Sequence, residues 1–319
     1  LELLERLRDH LDALSRVRPH QASMREQPCL VVHRKSANRP EVKAAVKAVQ
    51  RAHPELRVVV PWNKAEKPKV VAEALARGVT RIIAGGGDGT VGAIASAIVG
   101  RDRRTLPRVE LGVLPLGTAN DFARGCDLPV ADLEECLRIA CGRPARRIDV
   151  GRCNKRTFIN VASMGFGAEV TATTPVELKR GLGGAAYTLV GLVRSVGLTP
   201  YVVRLHVPGE PPVESDMVLL AVSNARYAGG GFDVGPLSRM DDGLLDLALI
   251  REPRTLDLLQ LAAEIQDITN PDNEFVVYRQ LSEFVIESDQ KLHCNLDGEP
   301  LQRKKLRFTA IPDALDVVF

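Results

Sequence analysis

Arg81-Ile82-Ile83-Ala84-Gly85-Gly86-Gly87-Asp88-Gly89-Thr90-Val91 is the stretch that decides the fold. An apolar run ends in a glycine loop, and the residues that follow (Val91, Ile94, Ala95, Ile98) recur at helical spacing. Phosphate binding needs backbone that approaches an anion with no Cβ in the way, which glycine permits. It also uses the unpaired N–H groups and positive dipole end of a helix start. Strand, glycine loop and helix in that order supply both. A glycine-rich turn with no ligand is the plainer reading of the same residues. The loop lacks the Gly-Lys-Ser/Thr of a Walker A sequence and is no G-x-G-x-x-G followed by a suitable acidic residue, so a Rossmann dehydrogenase is disfavoured.

Outward from this loop, strands and helices alternate between Cys29 and about Gly142. Cys29–Val32, Leu56–Val60 and Leu111–Leu114 read as further strands. Pro40 opens a helix through Val42, Val46 and Val49, and Val70 to Leu75 mark another that stops at Gly78. Such βαβ order predicts a parallel sheet covered on both faces. After Arg146 strands dominate: Phe158–Ala162, Tyr201–Val207, Met217–Val222, Leu244–Ile250, Phe284–Glu287 and Lys291–Asn295, separated by turns such as Pro208-Gly209 and Asp242-Gly243. Helical stretches are expected at Gly184–Val196 and Leu256–Gln266, and Leu306–Phe319 could pair with either half. Residues 1–27 read as an amphipathic helix on Leu4, Leu7, Leu11 and Leu14. Their mixed charges favour packing on this protein or on a second copy over a membrane-surface role.

The chain has 319 residues, enough for two cores, with 45% apolar and 26% charged residues. A net charge of +3 is too mild for nucleic acid as the main partner. Six cysteines without CxxC or zinc spacing suggest reduced thiols in a cytoplasmic protein. No apolar run approaches the roughly 20 residues that span a bilayer, and no secretory signal is evident. A membrane substrate would be reached from the water side.

Three further motifs carry polar groups. Leu114-Pro115-Leu116-Gly117-Thr118-Ala119-Asn120-Asp121-Phe122 follows another strand, and ligands collect at the carboxyl ends of parallel strands. Thr118 and Asn120 offer hydrogen bonds there; Asn120 or Asp121 as a helix N-cap is the alternative. Arg239-Met240-Asp241-Asp242-Gly243-Leu244 reads as an acidic turn between strands. Asn295-Leu296-Asp297-Gly298-Glu299-Pro300 is either a plain hairpin turn or a source of a general base.

Together these motifs resemble the bacterial diacylglycerol-kinase-like lipid kinases, most closely those of YegS type. Phe158-Ile159-Asn160, Gly165-Phe166-Gly167, Ala228-Gly229-Gly230-Gly231 and Asp242-Gly243-Leu244-Leu245 extend the resemblance from about Leu30 to the C-terminus. It implies an α/β protein with a Rossmann-like nucleotide domain, similar to NAD kinases and phosphofructokinases, and an antiparallel β-sandwich domain. The implied division is 28–145 for the first, completed by 306–319, and 146–305 for the second. The activity implied is transfer of the γ-phosphoryl group of ATP to a hydroxyl of phosphatidylglycerol or diacylglycerol. By motif, Gly85, Gly86, Gly87, Asp88, Gly89, Thr90, Val91 and Gly92, with Gly117, Thr118 and Asn120, would bind ATP. Glu299, with Asp297 beside it, would take the hydroxyl proton, and a structural Mg²⁺ would sit on the Asp242 carboxylate and the carbonyls of Arg239 and Leu244. Asp88 is the candidate contact to a catalytic Mg²⁺. The partners expected are ATP and a membrane glycerolipid met from the cytosolic side, at the inner surface; an oligomer is compatible with the sequence.

The chain departs from its relatives near the nucleotide. His33-Arg34-Lys35-Ser36 stands for Asn-Gly-Lys-Ser, Pro61 for Thr, and Gly92-Ala93 for Asn-Glu. Gly92 should weaken its helix by roughly 1 kcal/mol. Rival readings are a kinase of the same fold acting on NAD or a sphingoid base, and a nucleotide-binding regulator without catalysis. Basic residues bunch at Arg101, Arg103 and Arg104, at Arg143, Arg146 and Arg147, and at Arg303, Lys304 and Lys305. Each is a solvated surface by default, and a docking aid for an anionic bilayer if it flanks the cleft.

Overall fold

A computed structural model describes residues 27–61, 66–100, 108–165, 200–253 and 257–319. The first half runs β1 (Pro28–Val32), α1 (Arg34–Ala37), α2 (Pro40–Gln50), β2 (Arg57–Val59), α3 (Lys67–Ala76), β3 (Arg81–Gly86), α4 (Asp88–Val99), β4 (Glu110–Pro115), α5 (Asp121–Gly125) and α6 (Leu133–Gly142). Every residue of β1 and β3 is buried, as expected of parallel strands covered on both faces. Pro40 opens α2, where its fixed φ suits the first turn and its missing N–H costs nothing. Strands β2, β1, β3 and β4 lie side by side and parallel.

The second half runs β5 (Ala145–Cys153), β6 (Arg156–Phe158), β7 (Val161–Gly165), β8 (Tyr201–His206), β9 (Val213–Ser223), β10 (Tyr227–Ala228), β11 (Phe232–Asp233), β12 (Leu245–Arg251), α7 (Leu258–Glu264), β13 (Val276–Leu281), β14 (Glu283–Leu296) and β15 (Glu299–Val318). Its strand pairs are antiparallel. Phe284 stacks on Phe308 at 5.1 Å, and Phe158 meets Phe308 edge-on at 6.3 Å, at the centre of this half's own apolar core. The long β15 joins the halves. Its first part pairs with β14, and its last residues pair in parallel with β4 (Asp316 with Glu110, Val317 with Leu111) and antiparallel with β5. Ala314, Leu315, Val317 and Val318 enter the core around the parallel sheet.

Several elements differ from their sequence expectation. Phe158–Ala162 is not one strand: it breaks at Ile159-Asn160, where the backbone N–H groups turn to a side chain described below. The two runs expected at Phe284–Glu287 and Lys291–Asn295 are one strand with a register shift between Glu287 and Leu292. Strands β5 and β13 carry too many charged or polar residues to read as strands; β5 includes Arg146, Arg147, Asp149 and Arg152. All six cysteines are buried free thiols, and burial lifts that of Cys29 to about 11. The expected helices at 1–27 and 184–196, and the basic group at 101–104, lie outside the described residues.

Candidate active site

The glycine stretch is shorter as a loop than its sequence suggests. Gly85 and Gly86 belong to β3, Gly87 caps α4, and Asp88 is already helical. The strand glycines are needed for space. A Cβ on Gly86 would sit 2.5 Å from Thr90 Oγ1, and one on Gly85 would sit 3.0 Å from Val32 Cβ. Thr90 and Val91 donate to the Gly87 carbonyl at 2.7 and 3.1 Å, and the Val91 side chain is buried in the core. Lys67, 4% exposed, lies beside the loop and donates from Nζ to Thr90 Oγ1 at 3.0 Å. Nothing in its sequence context marks it out.

Register brings the second loop against the first. Gly86 pairs with Pro115, and Leu116 N donates to Gly86 O at 2.9 Å. The loops then touch backbone to backbone: a Cβ on Gly117 would lie 2.5 Å from Gly87 Cα. Asn120 holds this contact. It has a left-handed backbone (φ 53), and its side chain both accepts from Gly117 N (2.8 Å) and donates to Gly117 O (3.0 Å). It makes no helix-capping bond from its side chain. Gly117 and Thr118 are exposed, as is Gly89 in the first turn of α4.

Carboxylates then tie the loops to the β half. Asp88 Oδ1 accepts from Phe122 N at 3.0 Å, fastening α4 to α5. Its neighbour in space, Asp121, is 3% exposed and accepts from Gly230 N at 2.9 Å, while its Oδ1 is buried with no hydrogen-bond partner. Gly229, Gly230 and Gly231 all take positive φ, a path that suits glycine and presents that amide. Burial first, and then the Asp88 charge, push the Asp121 carboxyl above its usual range.

Asp297 is the most heavily engaged group. Its carboxylate accepts from Ile159 N (2.7 Å), Asn160 N (3.1 Å) and Val161 N (3.0 Å), and its own N–H donates to Val161 O. This is the capture that breaks the strand expected at Phe158–Ala162. Burial lifts the carboxyl to about 6 against the pull of the three amides, and the Asp88 charge adds to the rise. The turn packs on α4 at Gly92, where a Cβ would lie 2.8 Å from Asp297 Cβ. Gly92 therefore makes room for the turn, which its helix propensity alone does not reveal. Glu299, two residues on, is exposed.

The acidic turn is anchored by a residue that local patterning does not single out. Asp149, 3% exposed on β5, accepts from Gly243 N (2.6 Å) and Asp313 N (2.9 Å). Buried Asn224 links it inward, donating to Asp149 O (3.1 Å) and Ile159 O (2.9 Å). Asp242 is exposed and accepts from Leu244 N at 2.9 Å. Among the described residues no group of three or more His, Cys, Asp or Glu could hold a metal ion. An ion here would have to rest on one carboxylate and on the carbonyls of Arg239 and Leu244. Hard oxygen donors of that kind fit Mg²⁺ in chemistry.

Residues 27–153 match the model of the diacylglycerol kinase catalytic domain, and residues 160–319 match that of the YegS C-terminal NAD kinase β-sandwich-like domain. A Chromohalobacter salexigens protein named "Probable lipid kinase YegS-like" is 42% identical over 298 residues, covering 91% of this chain and 94% of its own length. A Pseudomonas aeruginosa PAO1 protein of the same name is 40% identical over 294 residues, covering 92% and 94%. This chain belongs to the YegS-like lipid kinase family. A solved diacylglycerol kinase from Bacillus anthracis str. Sterne shares the fold, with a TM-score of 0.72 at 19% identity over 92% of this chain and 97% of that one. Within the YegS-like frame, His33 caps α1 through Lys35 N (3.3 Å) and Pro61 is buried.

Proposed function

We propose that this chain transfers the γ-phosphoryl group of ATP to a hydroxyl of a membrane glycerolipid, phosphatidylglycerol or diacylglycerol. The observation that carries the reading is the Gly87–Gly117 contact, which sets a helix start beside a second exposed loop, with Asp88 bridging the two and Asp297 packed on the helix. Backbone from Gly85 to Gly92 would cradle the phosphates, with Gly117 and Thr118 as the facing wall and Asn120 as its brace. Lys67 brings a positive charge to the loop through Thr90. Phosphoryl transfer asks mainly for such positioning and charge neutralisation.

Mg²⁺ held by Asp88, directly or through water, would neutralise charge on the transferred group. Glu299 accepts the proton of the lipid hydroxyl. Asp297, with a carboxyl near pH 6, holds the turn and is the second group able to take that proton. The turn from Arg239 to Leu244 would hold a structural Mg²⁺ through Asp242 and the two carbonyls. No helix among the described residues is long and apolar enough to cross a membrane, and the lipid would be met from the cytosolic side.

Incubation with labelled ATP, Mg²⁺ and a panel of phosphatidylglycerol, diacylglycerol, ceramide, sphingosine and NAD tests the reading. Label in a glycerolipid is expected. Label only in sphingosine or NAD would reassign the acceptor, and ATP binding without transfer would make the chain a regulator.

A further inference from the structure

We propose that Tyr278 is a positioning residue for the turn from Arg239 to Leu244, acting with Gln280 and Asp246 on the backbone of Leu237. This rests on the lipid kinase reading, in which that turn holds a structural Mg²⁺.

Three strands supply the clamp. Asp246 on β12 is the register partner of Ser223 on β9 and of Gln280 on β13, and register partners share a face of the sheet. Tyr278 lies two residues from Gln280, on the same face. Leu245, Leu247 and Leu249 alternate to the other face and join the core of the β half. The chain before the turn sits closely on the Asp246 face: a Cβ on Gly235 would lie 3.1 Å from Ser223 Cβ.

The chemistry of the groups fixes which donates and which accepts. Asp246 is 1% exposed. An ionised carboxylate only accepts, so the Tyr278 hydroxyl donates to Asp246 Oδ1. Its oxygen is left to accept from Leu237 N at 3.3 Å. Gln280 Nε2 donates to Leu237 O and to Asp246 Oδ1, each at 3.2 Å. Both backbone groups of Leu237 are thus gripped. The residue is otherwise 51% exposed, so these bonds rather than apolar packing hold it.

Position along the chain gives the clamp its use. Leu237 precedes Arg239 by two residues, and Asp246 follows Leu244 by two. The clamp therefore ties together the two ends of the turn, whose carbonyls at Arg239 and Leu244 are the candidate ion ligands. Asp149 fastens the stretch between them, through Met240 O and Gly243 N, both at 2.6 Å. Burying a carboxylate is costly, and an apolar row would cover the loop without that cost. A satisfied polar network does what such a row cannot, fixing the backbone in one arrangement. Mg²⁺ tolerates little distortion of its oxygen ligands, so a slack Arg239 carbonyl weakens binding.

Titration with MgCl₂ alone, without ATP or lipid and followed by thermal shift, tests it. Asp242→Asn should remove the Mg²⁺-dependent shift, which assigns the shift to the turn. Tyr278→Phe should raise the half-saturating Mg²⁺ concentration about fivefold, the equivalent of one hydrogen bond. Gln280→Met, which deletes the bond to Leu237 O, should act in the same direction and carries the test if Tyr278→Phe does not fold. Arg279→Gln breaks the ion pair with Glu210 on the same strand and should titrate as the unaltered protein does, even if it melts earlier. A clamp that serves stability alone would lower the melting temperature of Tyr278→Phe and leave its Mg²⁺ half-saturation unchanged, and that result would overturn the proposal. So would equal weakening in Arg279→Gln, no shift in the unaltered protein, or a shift that Asp242→Asn leaves unchanged. Failure of the kinase reading looks different: no acceptor is labelled, although the Mg²⁺ titrations differ as stated. If both proposals hold, Tyr278→Phe lowers kcat and leaves the KM for ATP unchanged.

Discussion

Asp297 packs its side chain against the bare backbone of Gly92, so closely that a methyl group there would sit 2.8 Å from Asp297 Cβ. The hairpin turn of the β half thereby rests on the helix that begins at the glycine stretch, and the two candidate reactive ends share one contact. In an open helix, Gly→Ala would stabilise by roughly 1 kcal/mol. Here overpacking should outweigh that gain. Gly92→Ala is expected to lower the unfolding free energy by about 1 kcal/mol, measured by denaturant titration, and to reduce kcat with little change in the KM for ATP. A variant more stable than the parent would remove the contact from the account.

Asp297 also sets a pH dependence. Its carboxyl is raised from the usual 3.8 to about 6, so between those values the folded state binds more protons than the unfolded state. Stability must then fall as pH rises from about 4 to about 6. Asp297→Asn should flatten that part of the stability profile. The same group should impose a rise in kcat/KM through about pH 6 that Glu299→Gln retains at lower amplitude and Asp297→Asn abolishes.

Asp149 joins the acidic turn to the returning strand through the amides of Gly243 and Asp313. Hydrogen bonds to a charged group are worth about 1.5–3 kcal/mol each. Asp149→Ala should cost roughly 3 kcal/mol of stability, read by chemical denaturation. If the turn also holds an ion, the variant should lose the thermal shift produced by added Mg²⁺.

Lys67 reaches Thr90 from a buried position beside the glycine stretch. If its charge serves the nucleotide, Lys67→Met should raise the KM for ATP by about tenfold, in line with the loss of one charge-assisted bond. The far-ultraviolet circular dichroism should be unchanged. An unaltered KM would limit Lys67 to packing.

Local order was legible in the residues themselves. Unbroken apolar runs mark strands covered on both faces, and apolar residues every three to four positions mark helices, so β1, β3 and β4 and the helices at Pro40 and Val91 could be read directly. Two glycine-bearing stretches at the ends of parallel strands pointed to one crevice because adjacent parallel strands place their ends together. What the tertiary structure alone decided is polar and long-range. Asp297 meets the Ile159 amide across 138 residues, and Asp149 meets Gly243 across 94. A buried carboxylate leaves no periodic trace, since its partners are backbone N–H groups that every residue but proline carries. For the same reason Gly92 looked like a weak point in a helix until the fold placed Asp297 against it.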